Sequence, residues 1–261
     1  MKRETKLTRR ETLLKLIAGG GALSLSGCGL DARSPAALAV LESAETLTRL
    51  AQRALLAPRE ALAREYRPED ISSYFRPNGS TAPDDPDYQD ALANGFADWR
   101  LEVGGLVEVP LRLSLADLRA FASRSQITRH DCVEGWSCIA QWKGARLASV
   151  LAAARPKPAA RFIALFCADT LEQSLDGNGR YYETIDLVDA AHPQTILAYE
   201  MNGAPLPVEH GAPLRLRVER QLGYKMAKYV MRIEAIDGFA ALGRGRGGFW
   251  EDRGYEWYAG I

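Results

Sequence analysis

Arg129-His130-Asp131-Cys132-Val133-Glu134-Gly135-Trp136-Ser137 is the densest run of reactive side chains in this chain of 261 residues, and it continues through Cys138 to Trp142. The run contains two carboxylates and two of the five tryptophans, and it holds one of only three histidines. Such a concentration predicts a functional site. Cys132 is its candidate metal ligand, because charged and polar residues flank it and soft metal ions prefer sulfur donors, whereas Cys167 ends an apolar run.

Composition argues against some classes of protein. Hydrophobic residues make up 47% of the chain and charged residues 25%, which is typical of a soluble globular protein large enough for a substantial core. The 33 basic and 33 acidic residues cancel, so no overall positive field favours binding to nucleic acid. We therefore expect no nucleic-acid partner.

Residues 1–28 have the organisation of an export signal. Basic residues precede the mildly apolar run 13–25, which is too short and too rich in glycine for a membrane span. The segment Thr8–Lys15 resembles a twin-arginine signal, which exports proteins that are already folded. Leu25-Ser26-Gly27-Cys28 resembles a lipoprotein cleavage box, so we expect a periplasmic protein with Cys28 as the candidate lipid anchor. The alternative is an ordinary cleaved leader with an incidental cysteine.

The rest of the chain divides into three parts. Apolar residues at helical spacing predict a helical preface over 34–66, divided at Pro58. Residues 70–240 mix strand and helix patterns without an internal repeat, which predicts one α+β domain. The aromatic and glycine-rich residues 241–261 are expected to pack on this domain as a tail.

Several elements of the domain are predicted individually. Period-two alternation from Trp99 to Val103 predicts a strand, and the apolar run 161–168 predicts a buried strand. Ser114 followed three residues later by Asp117 predicts a capped helix start. A further helix is predicted over 145–154.

Three separated blocks resemble the molybdopterin-binding domain of the sulfite oxidase family. They are the Cys132 segment, the segment Leu197–Arg215 with its His-Gly-x-Pro-x-Arg sequence, and the Gly-x-Lys-x-x-Lys loop at Gly223–Lys228. In that family, a cysteine shortly before Trp-Ser binds the metal of the cofactor. The resemblance implies a single mixed-sheet domain of the sulfite oxidase type that binds Mo-molybdopterin, with one molybdenum held by Cys132.

The resemblance also implies roles for other residues. Arg76, in the loop Phe75–Gly79, is expected to be the cation on the substrate side. The residues expected to bind the cofactor are Phe75, Asn78, Asp169, His210, Arg215, Lys225, Met226, Ala227 and Lys228. Without the resemblance, the loop is only a turn, and the basic residues are ordinary surface charges.

The function implied by the resemblance is two-electron oxygen-atom transfer, either as sulfite oxidation or as sulfoxide reduction. The chain is more similar to the exported reductases of protein-bound methionine sulfoxide in this family, which use a membrane haem partner. No haem-binding motif is recognisable, so we expect a separate haem or cytochrome electron carrier. The residues after Asp237 are too few for the dimerisation domain of sulfite oxidases, so we expect a monomer.

Other interpretations of the same residues remain open at this point. Cys132 and Cys138 could form a disulfide, or these two with His130 and Cys167 could form a zinc site, although neither spacing matches a common framework. A cysteine nucleophile with His130 or His210 as base is a third alternative. A different function is that of a lipid-anchored, non-catalytic binding or assembly protein that keeps the molybdopterin fold.

Overall fold

Two β-sheets organise the part of the chain that the computed structural model describes, residues 61–173 and 179–261. Five further residues, at positions 44, 47, 48, 50 and 51, are helical. The chain divides into two compact units, Met1–Ala51 and Gln52–Ile261. The predicted export signal and Cys28 lie outside the described residues. None of the described helices has the length and apolar character needed to cross a membrane.

The described residues of the larger unit form short helices and ten strands. The helices are α1 (Pro86–Ala93), α2 (Leu115–Ala120), α3 (Leu147–Ala154) and α4 (Leu187–Ala190). The strands are β1 (Leu101–Gly105), β2 (Leu111–Leu113), β3 (Ser123–Cys132), β4 (Trp136–Arg146), β5 (Phe162–Thr170), β6 (Arg180–Asp186), β7 (Ile196–Met201), β8 (Ala204–Pro205), β9 (Arg215–Arg217) and β10 (Val230–Ile236).

The first sheet has the strand order β2-β1-β10-β5-β6. Strands β1 and β10 run parallel, whereas the other neighbours in this sheet are antiparallel. The prediction of an α+β domain with a mixed sheet is therefore confirmed. The pairing of β5 with β6 shifts register between Phe166 and Thr170, and this irregularity changes the direction of the side chains near the end of β5.

The second sheet has the order β3-β4-β7-β8, and β9 also pairs with β7. Its long hairpin pairs Ser123 with Ala145 at one end and Cys132 with Trp136 at the other. Gly135, with a φ of 85°, makes the tight turn between the two strands, because that backbone conformation has no steric cost for glycine. The hairpin therefore presents Cys132 at the end of the sheet.

The core lies against the first sheet and is closed by α3. Leu101, Leu147, Ile163, Leu165 and Ile233 are completely buried in one cluster. Each such side chain contributes about 1.5 to 3 kcal/mol when it is removed from water. This core fixes β5 and β10, from which residues of the candidate site extend.

The predicted strands and helix starts agree with the structure at several positions. The strand predicted over 161–168 is β5, and α2 begins with the predicted reciprocal capping of Ser114 and Asp117. The helix predicted over 145–154 begins only at Leu147, because the two preceding residues complete β4. Those residues pair with β7, so sheet hydrogen bonds replace the expected helical turn.

The helical preface expected over 34–66 is wrong at its C-terminal end. Residues 61–66 are extended, and Glu65 forms an isolated antiparallel bridge with Thr128 of β3. Tyr66 N also donates to Ile127 O at 2.9 Å. Pairing with the edge of the second sheet satisfies these backbone groups and replaces the helix that the apolar spacing predicted.

The C-terminal residues pack against the first sheet and against the segment that follows β9. Gly248 forms a bridge with Glu183 of β6, and Gly260 forms one with Gln221. Phe249 is completely buried in the core cluster. This segment therefore reaches the same side of the domain as the end of the β3–β4 hairpin.

Candidate active site

A pocket of about 120 Å³ lies beside the end of the β3–β4 hairpin. The end of β5, a short 3-10 helix at Gly223–Lys225 and the C-terminal segment complete it. Its lining residues are Asn78, Gly79, Ser80, Cys132, Val133, Glu134, Asp169, Leu171, Tyr181, Gly223, Tyr224, Met226, Lys228, Trp250 and Tyr255. Five of the residues expected from the sequence are among them: Asn78, Cys132, Asp169, Met226 and Lys228.

Cys132 has a free, half-buried thiol. Burial raises the pKa of this thiol, and the nearby carboxylate of Glu134 adds to the effect. The protein alone therefore favours the neutral thiol. A metal cation reverses that preference, because it stabilises the thiolate directly. The position suits a metal ligand better than a free nucleophile.

Asp169 is buried at the register shift of β5 and carries the most perturbed carboxyl group of the pocket. Burial raises its pKa from 3.8 to about 6, although the charge of Lys228 opposes the shift. Among the described residues, its Oδ1 has no hydrogen-bond partner, and the same is true of Oδ1 of Asn78. Both oxygens are acceptors that a bound group with N–H donors can satisfy.

Lys228 is the basic residue that lines the pocket. Its Nζ donates to the carbonyl oxygens of Ser80 and of Glu209, the latter at 3.0 Å. Burial, together with the positive charge of Arg215, lowers its pKa to about 7. An anionic ligand would favour the charged form again, so this lysine is suited to hold a phosphate.

Phe75, His210 and Arg215 lie together but do not line the pocket. The rings of Phe75 and His210 are 5.3 Å apart, and Arg215 Nη1 donates to His210 O at 2.9 Å. Burial lowers the pKa of His210 to about 4 and that of Arg215 to about 9. His210 Nδ1 and Arg215 Nε have no hydrogen-bond partner within residues 61–173 and 179–261. This cluster, which lies behind Lys228, therefore contains buried polar atoms whose hydrogen-bonding capacity the described residues do not satisfy.

The close approach of Gly211 to Lys228 and Arg215 holds this cluster against the loop Gly223–Lys228, called the lysine loop below. Gly211 has a φ of 109°, and a Cβ at this position would lie 2.9 Å from Cβ of Lys228 and 3.2 Å from Cβ of Arg215. Only glycine fits this space and this backbone conformation. The glycine of the His-Gly-x-Pro-x-Arg sequence thus joins the two basic segments that the sequence placed in the site.

Lys225 and Ala227 have positions different from those expected. The ammonium of Lys225 is completely buried and bonds to Glu183 at 2.6 Å and to Glu251 at 2.5 Å. The cation expected to bind the cofactor phosphate is thus already bound to two carboxylates. Ala227 is buried and does not line the pocket, although it precedes Lys228.

Arg76 also departs from its expected role. Its side chain is exposed, lies 3.8 Å from the carboxylate of Glu134 and is 5.6 Å above the ring of Trp136. It does not line the pocket. The expected substrate-side cation is therefore outside the pocket and partly neutralises one of its acidic residues.

His130, which lies two residues before Cys132 on β3, is completely buried. Its Nδ1 accepts a hydrogen bond from Arg217 at 3.1 Å and lies 3.3 Å from Met226 Sδ. Burial, and then the charge of Arg217, keep its pKa well below the usual value. A Cβ at Gly223 would overlap the imidazole, so this glycine allows the 3-10 helix to pack on β3.

The structure adds an aromatic wall that the sequence did not assign to the site. We use this name for Tyr181, Tyr224, Trp250 and Tyr255, all of which line the pocket. Trp250 and Tyr255 belong to the aromatic C-terminal segment, which was expected to pack as a tail, whereas no signal in the sequence indicated Tyr181 and Tyr224. These rings and the polar residues Cys132, Asp169 and Lys228 line the same pocket, so its lining is both polar and aromatic.

Comparison with known proteins identifies the family. The profile of the family described as "Oxidoreductase molybdopterin binding domain" matches residues 89–240, more than half of the chain. The chain belongs to this family of molybdopterin oxidoreductases. The predicted resemblance to the molybdopterin-binding domain of the sulfite oxidase family is thus confirmed.

Individual relatives cover most of the chain. A protein of Azospira oryzae provisionally named as protein-methionine-sulfoxide reductase subunit YedZ1 is 33% identical over 97% of this chain and 87% of its own length. The protein-methionine-sulfoxide reductase catalytic subunit MsrP of Xanthomonas axonopodis is 33% identical over 87% of this chain and 70% of its own. Among solved structures, the sulfane dehydrogenase SoxCD of Paracoccus pantotrophus aligns with a TM-score of 0.47 and 26% identity, over 54% of this chain and 38% of that one.

The site of this molybdopterin-family oxidoreductase fits the cofactor that its family binds. Cys132 offers a sulfur ligand, and Lys228 offers a cation for a phosphate. Buried polar atoms without partners in the described part of the chain include both acceptors, on Asn78 and Asp169, and a donor, Arg215 Nε. A pterin carries both N–H donors and acceptor atoms, so these atoms match its chemistry.

The other interpretations of the cysteines do not agree with the structure. Cys132, Cys138 and Cys167 are free thiols, and Cys138 pairs in register with His130 rather than with Cys132. Within residues 61–173 and 179–261, no group of three or more histidine, cysteine or acidic residues could hold a metal ion. The geometry therefore contradicts both the disulfide and the zinc site. The Nδ1 atom of His130 is engaged by Arg217, which also weakens the nucleophile interpretation.

Proposed function

We propose that this oxidoreductase is an exported molybdenum-molybdopterin enzyme that carries out two-electron oxygen-atom transfer, in the direction of sulfoxide reduction. The observation that carries this proposal is the convergence of Cys132, Asp169 and Lys228 in one pocket. These residues supply a soft metal ligand, a proton-holding group and a cation. When bound, the molybdenum group would supply the exchange of an oxygen atom together with two electrons.

The protein residues would hold the cofactor at several points. Cys132 would be the protein ligand to molybdenum, and Lys228 would pair with the phosphate. Asn78 and Asp169 offer unpartnered oxygens to N–H donors of the pterin. His210 and Arg215, behind Lys228, add polar atoms that a buried anionic group could satisfy.

The charge of the pocket supports a neutral substrate over sulfite. Lys228 is opposed by Asp169, and Glu134 at the lining is partnered by Arg76 from outside. An anion such as sulfite would therefore find no excess of positive charge. An organic sulfoxide is neutral and combines one polar group with apolar substituents, which suits a pocket lined by both polar and aromatic residues. The name of the Xanthomonas relative, a reductase of methionine sulfoxide in proteins, supports the same direction.

Asp169 is suited to supply a proton to this reaction. Reduction of a sulfoxide to a thioether consumes two electrons and two protons and releases one water. A carboxyl group with a pKa of about 6 exchanges a proton readily near neutral pH. Asp169 and Cys132 line the same pocket, so this proton would be available to a substrate bound there.

The electrons would come from a separate haem or cytochrome carrier, with the enzyme acting as a monomer in the periplasm. The leader resembles a twin-arginine signal, which would export the protein after the cofactor has been inserted. Cys28 would anchor the protein to the membrane if the cleavage box is used. The Xanthomonas relative is named as a catalytic subunit, which supports a division of labour between the site of reaction and an electron carrier.

The proposal is tested on full-length protein purified after export. We expect about one molybdenum and one molybdopterin per chain, reduction of methyl phenyl sulfoxide with reduced methyl viologen, and much slower sulfite oxidation with ferricyanide. Folded protein without molybdenum would contradict the proposal and support the non-catalytic binding or assembly protein. Faster sulfite oxidation than sulfoxide reduction would reverse the assigned direction.

A further inference from the structure

The C-terminal segment brings the aromatic wall into the pocket through a short turn. Trp250 and Tyr255 are stacked, with ring centroids 5.3 Å apart and planes 28° from parallel. Tyr255 N donates to Trp250 O at 3.1 Å, and Gly254, with a φ of 100°, makes the reversal between them. Tyr224 meets Tyr255 edge to face at 5.1 Å. The three rings therefore form one continuous apolar surface.

This surface is held from behind by buried polar contacts. Glu251 binds the ammonium of Lys225, and Asp252 Oδ2 accepts from Tyr182 Oη at 2.7 Å. Both acidic residues come directly after Trp250. Because buried, charge-assisted bonds fix the turn, the stacked rings are preorganised and do not need to be ordered when a ligand binds.

The outer end of the wall remains accessible. Tyr255 is 39% exposed although it lines the pocket, and Val133, which also lines it, is 44% exposed. Exposed apolar side chains at the mouth of a pocket favour a ligand with an apolar part. The aromatic wall is the apolar part of a lining that also contains Cys132, Asp169 and Lys228, so it is the place for that part.

We propose that Trp250 and Tyr255 determine substrate specificity by stacking against an apolar substituent on the sulfur of the sulfoxide. This inference rests on the proposed function and adds the substrate class to it: neutral sulfoxides with an aryl or extended alkyl group are preferred over small or anionic ones. Aromatic rings attract both flat apolar groups and polarisable sulfur, so the wall serves the sulfoxide and the thioether product alike.

The test compares two substrates and three variants of the full-length, cofactor-loaded enzyme. Tyr255→Ala removes the ring, Tyr255→Phe keeps it, and Tyr74→Ala removes an exposed tyrosine that does not line the pocket. Steady-state kinetics are measured with methyl phenyl sulfoxide and with dimethyl sulfoxide. We expect Tyr255→Ala to raise KM for the aryl substrate roughly three- to tenfold and KM for dimethyl sulfoxide less than about twofold. Tyr255→Phe and Tyr74→Ala should change neither by more than about twofold.

An unchanged KM for the aryl substrate in Tyr255→Ala would overturn the inference, and so would an equal rise for both substrates. In the second case the ring would act on the general shape of the pocket rather than on the substituent. Equilibrium binding of methyl phenyl sulfide, followed by tryptophan fluorescence, provides a measurement without turnover. If the wild type reduces neither sulfoxide, the proposed function fails. Weaker sulfide binding in Tyr255→Ala alone would still support the inference, whereas equal binding would overturn it.

Discussion

Lys225 Nζ lies 2.6 Å from Glu183 Oε1, and both side chains are completely buried. Glu251 completes the group at 2.5 Å from the same nitrogen, so one cation joins β6, the lysine loop and the C-terminal segment. Burial raises the pKa of Glu183 well above its usual range, and the neighbouring Glu251 adds to this rise. The positive charge of Lys225 therefore offsets the free-energy cost of burying two carboxyl groups in the core.

Replacing Lys225 with methionine is expected to lower the free energy of unfolding by about 3 kcal/mol or more, because it leaves buried carboxyl groups without their cation. Urea denaturation of cofactor-free protein measures this effect. Lys143→Met is the matched control: it removes an exposed pair with Glu200 at 3.1 Å and should cost less than about 1 kcal/mol. Similar losses in both variants would contradict the structural role assigned to Lys225.

Cys132→Ala is expected to abolish molybdenum binding and turnover, since no other pocket residue supplies a sulfur ligand apart from the thioether of Met226. Cys138→Ala serves as control, because Cys138 does not line the pocket and its thiol donates to the carbonyl of Tyr74. Metal analysis and sulfoxide reduction are measured on both purified variants. Full metal content in Cys132→Ala, or its loss only in Cys138→Ala, would refute the assignment.

The parts of the site that could be predicted from sequence depend on local geometry. Cys132, predicted as a metal ligand, lines the pocket, and the turn that presents it is encoded within a few residues. The partners of Lys225 are 42 and 26 residues away in the chain, and no spacing rule connects them. Residues 61–66 were predicted as helix because apolar spacing does not reveal that an edge of a sheet is available to Glu65.

The position of the aromatic wall in the pocket could not be predicted from the sequence either. Trp250 and Tyr255 were visible as an aromatic cluster, but the sequence does not specify the surface on which a C-terminal segment packs. Their position follows from Glu251, whose partner Lys225 had been assigned to the cofactor. Because Lys225 was assigned to the cofactor, its contact with Glu251 was not predicted, and neither was the position of the C-terminal segment in the pocket lining.

Asp169→Asn is expected to stabilise cofactor-free protein at neutral pH but not in acid. The folded pKa of Asp169 is about 6, raised by burial from 3.8. Its contribution to stability is fully present below pH 3.8 and is lost as pH rises through 6, because the folded state then carries a buried carboxylate. At about 1.4 kcal/mol per pKa unit, the variant should gain roughly 3 kcal/mol over the wild type at pH 7.

The pH dependence of this difference is measured by urea denaturation between pH 3.5 and 7.5. His210, whose pKa is lowered to about 4, gives the opposite slope from pH 4 to 6.5, but it is present in both proteins and cancels in the comparison. Asp117→Asn is a control of opposite sign, because hydrogen bonds from Ser114 lower the pKa of Asp117. A difference between Asp169→Asn and wild type that does not vary with pH would contradict the buried carboxylate.

Gly223→Ala tests the packing of the lysine loop on β3. A Cβ at residue 223 would overlap Cε1 and Nε2 of His130, and the imidazole has no free space because it is completely buried. We expect a loss of about 1 to 3 kcal/mol in the free energy of unfolding and a lower molybdopterin content, since the loop carries Met226 and Lys228 into the pocket. Gly104→Ala is the control, because a Cβ there meets no atom within 4 Å. Wild-type stability and pterin content in Gly223→Ala would mean that the loop can move away from His130 without disturbing the pocket.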